Sequence, residues 1–185
     1  MSKSLGNIVS PNDIVQKFSR DHLRYYFAKT SKGEDFSFDE KEFAEIQKLF
    51  MMINNINTFV EQLPKGKKKT SIEDKWILSK FHSLVRDVTE SYNTYKFPEV
   101  SQRLETFIVG DLSRTYIKMI RDRSDEVSET FEEIRIGLIK LLAPICPFIT
   151  EKMWQDLRNN GSVKEESLWL SEWPKADKKK IDAGL

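Results

Sequence analysis

Apolar residues spaced three and four positions apart dominate the chain between residues 39 and 161. The clearest run follows Asp39 and consists of Ile46, Leu49, Phe50, Ile53, Ile56, Val60 and Leu63. This period places apolar side chains on one side of an α-helix, which must bury that side against another element. Similar runs follow Ser71, Pro98 and Pro147, with short polar loops between them. The pattern therefore predicts an all-α fold, an antiparallel helix bundle.

Capping residues and prolines predict where these helices begin and end. Side chains that can accept a hydrogen bond from a first-turn N–H group precede four of them: Ser10, Asp21, Asp39 and Ser71. Ser71 and Asp74 have the spacing of a capping box, and Pro98 opens a helix that we expect to reach about Arg123. Gly110 in this helix costs about 1 kcal/mol relative to alanine. Close approach of a neighbouring helix is one reason for a glycine there.

At 185 residues and 39% hydrophobic content, the chain can build one core with a small appendage. We predict an N-terminal region at 1–38, the helical domain at 39–161 and a tail at 162–185. Apolar and polar residues alternate in the tail around Trp169, so we expect an extended segment or edge strand packing on the bundle. Residues from Lys178 onward are expected to be frayed.

The charge balance directs any nucleic-acid contact to local patches. Charged residues make up 32% of the chain, yet its formal net charge is +1. Cys146 is the only cysteine, which excludes an internal disulfide and a cysteine-rich zinc site and fits a reducing cytoplasm. No apolar run approaches the length of a membrane span, and we expect no membrane partner and no metal site.

One basic helix face is the candidate RNA-binding surface. Arg114, Lys118 and Arg121 fall at i, i+4 and i+7, so they share a side of the helix and could follow an RNA backbone. The alternative is a solvated face paired with glutamates, and the sequence leaves both open. The lysine run at 65–69 is interpreted as a solvated loop rather than a phosphate contact.

We expect structural roles for three side chains that could also serve a function: His22, Trp154 and Trp173. His22 has no nucleophile or metal ligand near it in the sequence, so it is not taken as a catalytic acid. Trp154 and Trp173 are expected in the core rather than as stacking platforms for bases.

The first residues, MSKSLGN, have the chemistry of a loop that holds a phosphate chain. Lys3 supplies a mobile positive charge, Ser2 and Ser4 supply hydroxyl donors, and Gly6 allows a close backbone turn. The stretch resembles the KMSKS signature loop of class I aminoacyl-tRNA synthetases, without that motif's leading lysine. We therefore expect the chain to be the later part of such an enzyme.

Further stretches extend this resemblance over nearly the whole chain. They are SRDHLR (19–24), DKWILSK (74–80), DLSRTYI (111–117), IRDR (120–123), LAPICPF (142–148) and LWLSEWP (168–174). The first resembles a GAD-x-LR segment, matched at Asp21, Leu23 and Arg24. Most of the others are similar to the isoleucyl, valyl and leucyl group, and the DLSR and IRDR pair resembles the isoleucyl enzymes. Thr115 stands where their usual form has tryptophan.

This resemblance implies isoleucine activation with ATP and Mg²⁺ and charging of tRNA by the full-length enzyme. It gives Lys3 the catalytic role of stabilising the departing pyrophosphate, with Met1, Ser2, Lys3 and Ser4 contacting ATP. Residues 1–38 are then the signature loop and the region that contacts the tRNA stem, and the helical part is the anticodon-binding domain of a monomer. Since the family's HIGH-type motif is absent from these residues, the chain alone is not expected to be active. A valyl or leucyl enzyme, or a non-catalytic helical RNA-binding or interaction module, are the alternatives.

Overall fold

The computed structural model describes residues 10–31, 33, 38–64, 70–182 and 184. The signature-like loop with Met1, Ser2, Lys3 and Ser4, and the lysine run at 65–69, lie outside the described residues. The predictions that concern them are therefore not tested by the fold.

The described part of the chain is built from helices and contains no strand, which confirms the all-α prediction. The helices are α1 (Pro11–Lys17), α2 (Arg20–Thr30), α3 (Glu40–Gln62), α4 (Ile72–Asn93), α5 (Phe97–Glu105), α6 (Ile117–Met119), α7 (Ser128–Leu142) and α8 (Pro147–Asn159). Between α5 and α6 lies a π-helical segment (Thr106–Tyr116), and single 3₁₀ turns follow at Arg121–Arg123 and Leu168–Leu170. The tail was expected to be extended or an edge strand, but it forms the second of these turns within irregular backbone.

Most helices begin where the sequence predicts, but the predicted capping hydrogen bonds are only partly formed. Asp39 accepts a bond from Lys41 N–H, and Ser71 and Asp74 form the predicted capping box. Ser10 precedes α1 but makes no side-chain cap bond. The assignment of Asp21 as a cap of α2 is wrong, because Ser19 caps that helix and Asp21 lies within its first turn.

The helix predicted from Pro98 to about Arg123 is helical throughout most of that range but not uniformly α. After α5 the backbone widens into the π-helical segment and then tightens through α6 into the 3₁₀ turn. Within the wide turns, the Thr115 hydroxyl donates to the Gly110 carbonyl five residues earlier, at 2.9 Å. Wide turns of this kind are rare and are often found at functional sites.

Buried apolar faces of α2, α3, α4, α5, the π-helical segment and α7 meet in one core, and a smaller cluster around Trp154 joins α8 to the end of α7 and to the tail. The closest approach at a helical glycine is at Gly137 of α7, where an added Cβ would overlap the Phe81 ring of α4. The suggestion that Gly110 admits a neighbouring helix is wrong for the helices that the structure describes, because none of their atoms lies within 4 Å of the Cβ that Gly110 lacks.

The tail runs antiparallel to α4 and is held by hydrogen bonds along its length. Trp173 donates its indole N–H to Thr89 at 2.9 Å, and the Asp177 backbone donates to His82 Nδ1 at 3.2 Å. Further on, Ser79 and the backbone of Asp182 bond each other in both directions. The prediction of a frayed end from Lys178 onward is therefore wrong as far as residue 182.

Candidate nucleic-acid interface

The three cations singled out in the sequence are solvent-exposed on consecutive turns. Arg114 lies in the π-helical segment, Lys118 in α6 and Arg121 in the 3₁₀ turn. Within residues 70–182, none of them lies within ion-pair distance of a carboxylate, although Asp122 is also exposed beside Arg121. The three residues thus form a solvated face, and within residues 70–182 they do not make the ion pairs with glutamates that the alternative also expected. Their contact with RNA stays a prediction.

Three other cations of the bundle contrast with these three because they have carboxylate partners. Arg103 contacts Asp87 at 3.1 Å, Lys29 lies between Glu42 and Glu105, and Arg135 contacts Glu132 at 2.7 Å. Arginine and lysine side chains that have carboxylate partners already have their charge compensated. Those of Arg114, Lys118 and Arg121 remain available to an external anion.

These cations stand on a ridge between two grooves. On one side, Ser113 and Ile117 line a groove shared with Lys48, Met51 and Phe59 of α3. On the other, Thr106, Phe107 and Asp111 line a groove shared with Lys80 and Ser83 of α4. The outward line of Gly110, Arg114, Lys118 and Arg121 is called the crest below.

Asp111, at the edge of the crest, has its pKa raised by burial, while the nearby Lys80 ammonium acts in the opposite direction. It faces the α4 groove with Lys80 rather than the side of Ser113 and Ile117. Its charge is therefore directed away from the α3 side of the crest.

A buried carboxylate fixes the end of the crest. Asp74 is 1% exposed and accepts the Tyr116 hydroxyl at 2.6 Å and the Arg123 guanidinium at 2.7 and 3.1 Å. Burial alone would raise the pKa of Asp74, but Arg123, the Ser71 N–H and Tyr116 hold it below its ordinary value. Tyr116 ends the π-helical segment and Arg123 ends the 3₁₀ turn, so this network anchors the basic residues between them.

A second network joins α2 to the turn between α7 and α8. Asp21 accepts the backbone N–H groups of Phe148 at 3.4 Å and Ile149 at 2.6 Å, so it caps α8 from a distant part of the chain. Burial raises the pKa of Asp21 even though these bonds act to lower it. Arg24 donates to the carbonyls of Ile145 and Pro144 at 2.8 and 3.0 Å.

These two networks show what the family-like stretches do. DKWILSK contributes Asp74, which meets Tyr116 of DLSRTYI and Arg123 of IRDR. Residues 19–24 meet LAPICPF in the same way. Sequence reasoning recognised each stretch but missed the pairing. The sequence does contain a signal for it: Asp21 and Asp74 are charged residues at helix positions that face the core, and such residues need a partner.

His22 and Trp154 pack inside the protein as expected, whereas Trp173 lies at the surface. His22 stacks on Phe50 at 4.4 Å between ring centres, and burial lowers its pKa. Trp154 is 1% exposed, as expected for a core residue. The expectation that Trp173 lies in the core is wrong, since it is 37% exposed and packs edge-on against Tyr92 at the surface.

The described residues contain no metal site, no activated thiol and no membrane-spanning helix. No group of three or more His, Cys, Asp or Glu side chains is placed to hold a metal ion. Cys146 is buried, which raises the pKa of its thiol and disfavours the reactive thiolate. In that same part of the chain, no helix combines the length and apolar character needed to cross a membrane.

Two family descriptions match the chain. Residues 74–185 match the family described as the anticodon-binding domain of tRNA ligase, and residues 1–63 match the family described as tRNA synthetases class I (M). These two matches cover both the region of the crest and the family-like stretches that precede it.

Curated relatives match across the whole chain. The isoleucine–tRNA ligase of Thermococcus kodakarensis is 34% identical, and that of Methanocella arvoryzae 31%, each over all of this chain and 19% of the relative. The valine–tRNA ligase of Ehrlichia ruminantium is 30% identical over 91% of this chain and 23% of the relative. The chain thus spans about a fifth of the length of the curated relatives it matches.

A solved structure shares the fold. It is described as the ternary complex of Agrobacterium radiobacter K84 agnB2 LeuRS, tRNA and LeuAMS, and it superimposes with a TM-score of 0.76. The identity is 18%, over 99% of this chain and 23% of that one.

Proposed function

This chain belongs to the family of anticodon-binding domains of tRNA ligases, and on that premise we propose that it is the tRNA-binding part of an isoleucyl-tRNA synthetase. The single observation that carries the proposal is the line of exposed, uncompensated cations at Arg114, Lys118 and Arg121. An RNA backbone presents phosphates to such a line, and binding releases the counterions condensed on the RNA. The isoleucine–tRNA ligases among the relatives support the choice of amino acid.

For the whole enzyme we propose isoleucine activation with ATP and Mg²⁺, followed by charging of tRNA. Lys3 is assigned to the triphosphate, with Met1, Ser2 and Ser4 beside it, on the resemblance of the first residues and the match of residues 1–63 to class I synthetases. Monomeric state, cytoplasmic location and the boundaries 1–38, 39–161 and 162–185 remain predictions.

The experiment is a fluorescence-anisotropy titration of the chain with isoleucine, valine and leucine tRNAs across a salt series. We expect tightest binding to isoleucine tRNA, with Arg114→Ala and Arg121→Ala each weakening binding and lowering the salt slope by about one unit. Arg158→Ala is the matched control because Arg158 is an exposed arginine of α8, away from Arg114 and Arg121, and forms no ion pair among the described residues. Absence of binding, or equal loss in the control variant, would contradict the proposal.

A valyl enzyme is the second candidate, supported by the valine–tRNA ligase among the relatives. Preference for valine tRNA in the same titration would select it. The two family matches argue against an unrelated helical interaction module.

A further inference from the structure

Gly110 is a glycine in the middle of a helix for which the described fold supplies no steric reason. At Gly137 an added Cβ would overlap the Phe81 ring, and Gly33 and Gly161 have φ of +82° and +81°, where side chains are strained. At Gly110 neither reason holds: φ is not positive, and a Cβ would meet no atom within 4 Å.

Such a glycine weakens the segment that carries it, because glycine is among the least favourable residues for a helix interior. The hydrogen bond at this position does not demand it either, since Thr115 donates to the backbone carbonyl of Gly110, which any residue would provide. A residue that costs stability and meets no packing or backbone requirement among the described residues points to a partner outside them.

Gly110 also has a specific place relative to the cations. It lies on the crest four residues before Arg114 and eight before Lys118, on the outward side of the π-helical segment. Without a side chain, the helix backbone is accessible here next to two uncompensated positive charges. Close approach of a partner's backbone is a general use of glycine.

We propose that Gly110 is the point of closest approach of the tRNA sugar-phosphate backbone, with Arg114 and Lys118 binding phosphates on the same strand. The inference rests on the proposed function, because it concerns how the same surface contacts RNA. A side chain at position 110 would hold the strand away from the crest and lengthen every phosphate contact along it. The π-helical segment and the Asp74 network then serve to hold this glycine and the cations in one line.

The test separates fold from binding by substituting Gly110→Ala and Gly110→Leu in the whole chain. Alanine favours a helix more than glycine does, so we expect Gly110→Ala to raise the melting temperature by about 2–4 °C. The same variant should weaken binding of an isoleucine tRNA transcript by at least about threefold, and the leucine variant by at least about tenfold. A more stable protein that binds RNA less tightly is the signature of the proposal.

Asn54→Ala and Asn54→Leu are the matched controls, because Asn54 is exposed on α3 and lines a groove with α8, away from the crest. Both should bind the tRNA as the unsubstituted chain does. Unchanged affinity in both Gly110 variants would overturn the inference while leaving the proposed function intact. Destabilisation by alanine would also overturn it, since the glycine would then serve the π-helical backbone. Absence of binding by the unsubstituted chain would overturn both proposals.

Discussion

The Asp74 network makes a quantitative prediction about the end of the bundle that holds the crest. Replacing Arg123 with methionine keeps the length of the side chain but removes both hydrogen bonds to a carboxylate that is 1% exposed. Each bond to a charged group contributes about 1.5–3 kcal/mol. Because the Arg123 side chain is 20% exposed, water can replace part of what is lost. We therefore expect a loss of about 2–4 kcal/mol in the free energy of unfolding at pH 7.

The same network fixes the pH dependence of that loss. Folding lowers the pKa of Asp74 below 3.8, so its contribution is complete above that value and is lost as the pH falls through the lowered pKa. Without Arg123, burial dominates and the carboxyl of the variant binds a proton more readily in the folded state. The difference in the free energy of unfolding between the original chain and the variant should therefore narrow as the pH falls, first through the raised pKa of the variant carboxyl and then through the lowered pKa of Asp74.

Urea denaturation at pH 7 and pH 3 measures both effects. Arg121→Met is the matched control, because Arg121 is exposed and has no ion pair within residues 70–182, and its cost should stay within about 0.5 kcal/mol. A cost for Arg123→Met as small as that of the control, or a difference that does not change with pH, would refute the reasoning.

Three further substitutions test contacts that the fold depends on. Gly137→Ala should lower the free energy of unfolding by about 1–3 kcal/mol in urea denaturation, because the added Cβ overlaps the Phe81 ring. Adding Phe81→Leu should recover part of this loss. Fully additive losses in the double variant would contradict the overlap. Asp21→Ala should cost about 1–2 kcal/mol by uncapping α8, with Asp21→Asn closer to the original chain, and equal costs would argue against a cap. Hydrogen bonds and charge from His82 and Lys180 lower the pKa of Glu133 to about 2, so Glu133→Gln should speed amide exchange in residues 177–182 at pH 7. That effect should disappear as the pH falls from 4.5 towards 2, and an effect that persists there would contradict the assignment.

Local signals in the sequence predicted most of the helix ends. The capping box of Ser71 and Asp74 joins residues three positions apart, so it can be recognised from the local sequence alone. The caps of α2 could not be assigned in this way, because both Ser19 and Asp21 are suitable side chains. A hydrogen bond across 128 residues, from Ile149 to Asp21, decides between them.

Apolar spacing of three and four also fails to reveal the π-helical segment. Phe107, Leu112 and Tyr116 are buried as expected, because the wide turn still returns them to the core. The packing of the tail against α4 could have been predicted from polar residues in the sequence of α4. Ser79 and His82 are polar residues on the buried side of α4, and both bond the tail. Buried polar groups require partners, so they indicate a covering segment.

The position of the crest could be predicted from the sequence. That its cations have no carboxylate partner within residues 70–182 could not. The spacing of Arg114, Lys118 and Arg121 gives a shared side of a helix, whereas the carboxylates that could have paired with them come from distant segments. The fold places those carboxylates on other cations, such as Glu132 on Arg135.

Lysine footprinting tests most directly whether the crest is the RNA-binding surface. The chain is acetylated with and without isoleucine tRNA, and the modification of each lysine is read by mass spectrometry. The account predicts protection of Lys118 by the tRNA, while Lys175, whose side chain is 83% exposed on the tail, reacts equally in both samples. Protection of Lys175 with Lys118 still fully reactive would contradict it.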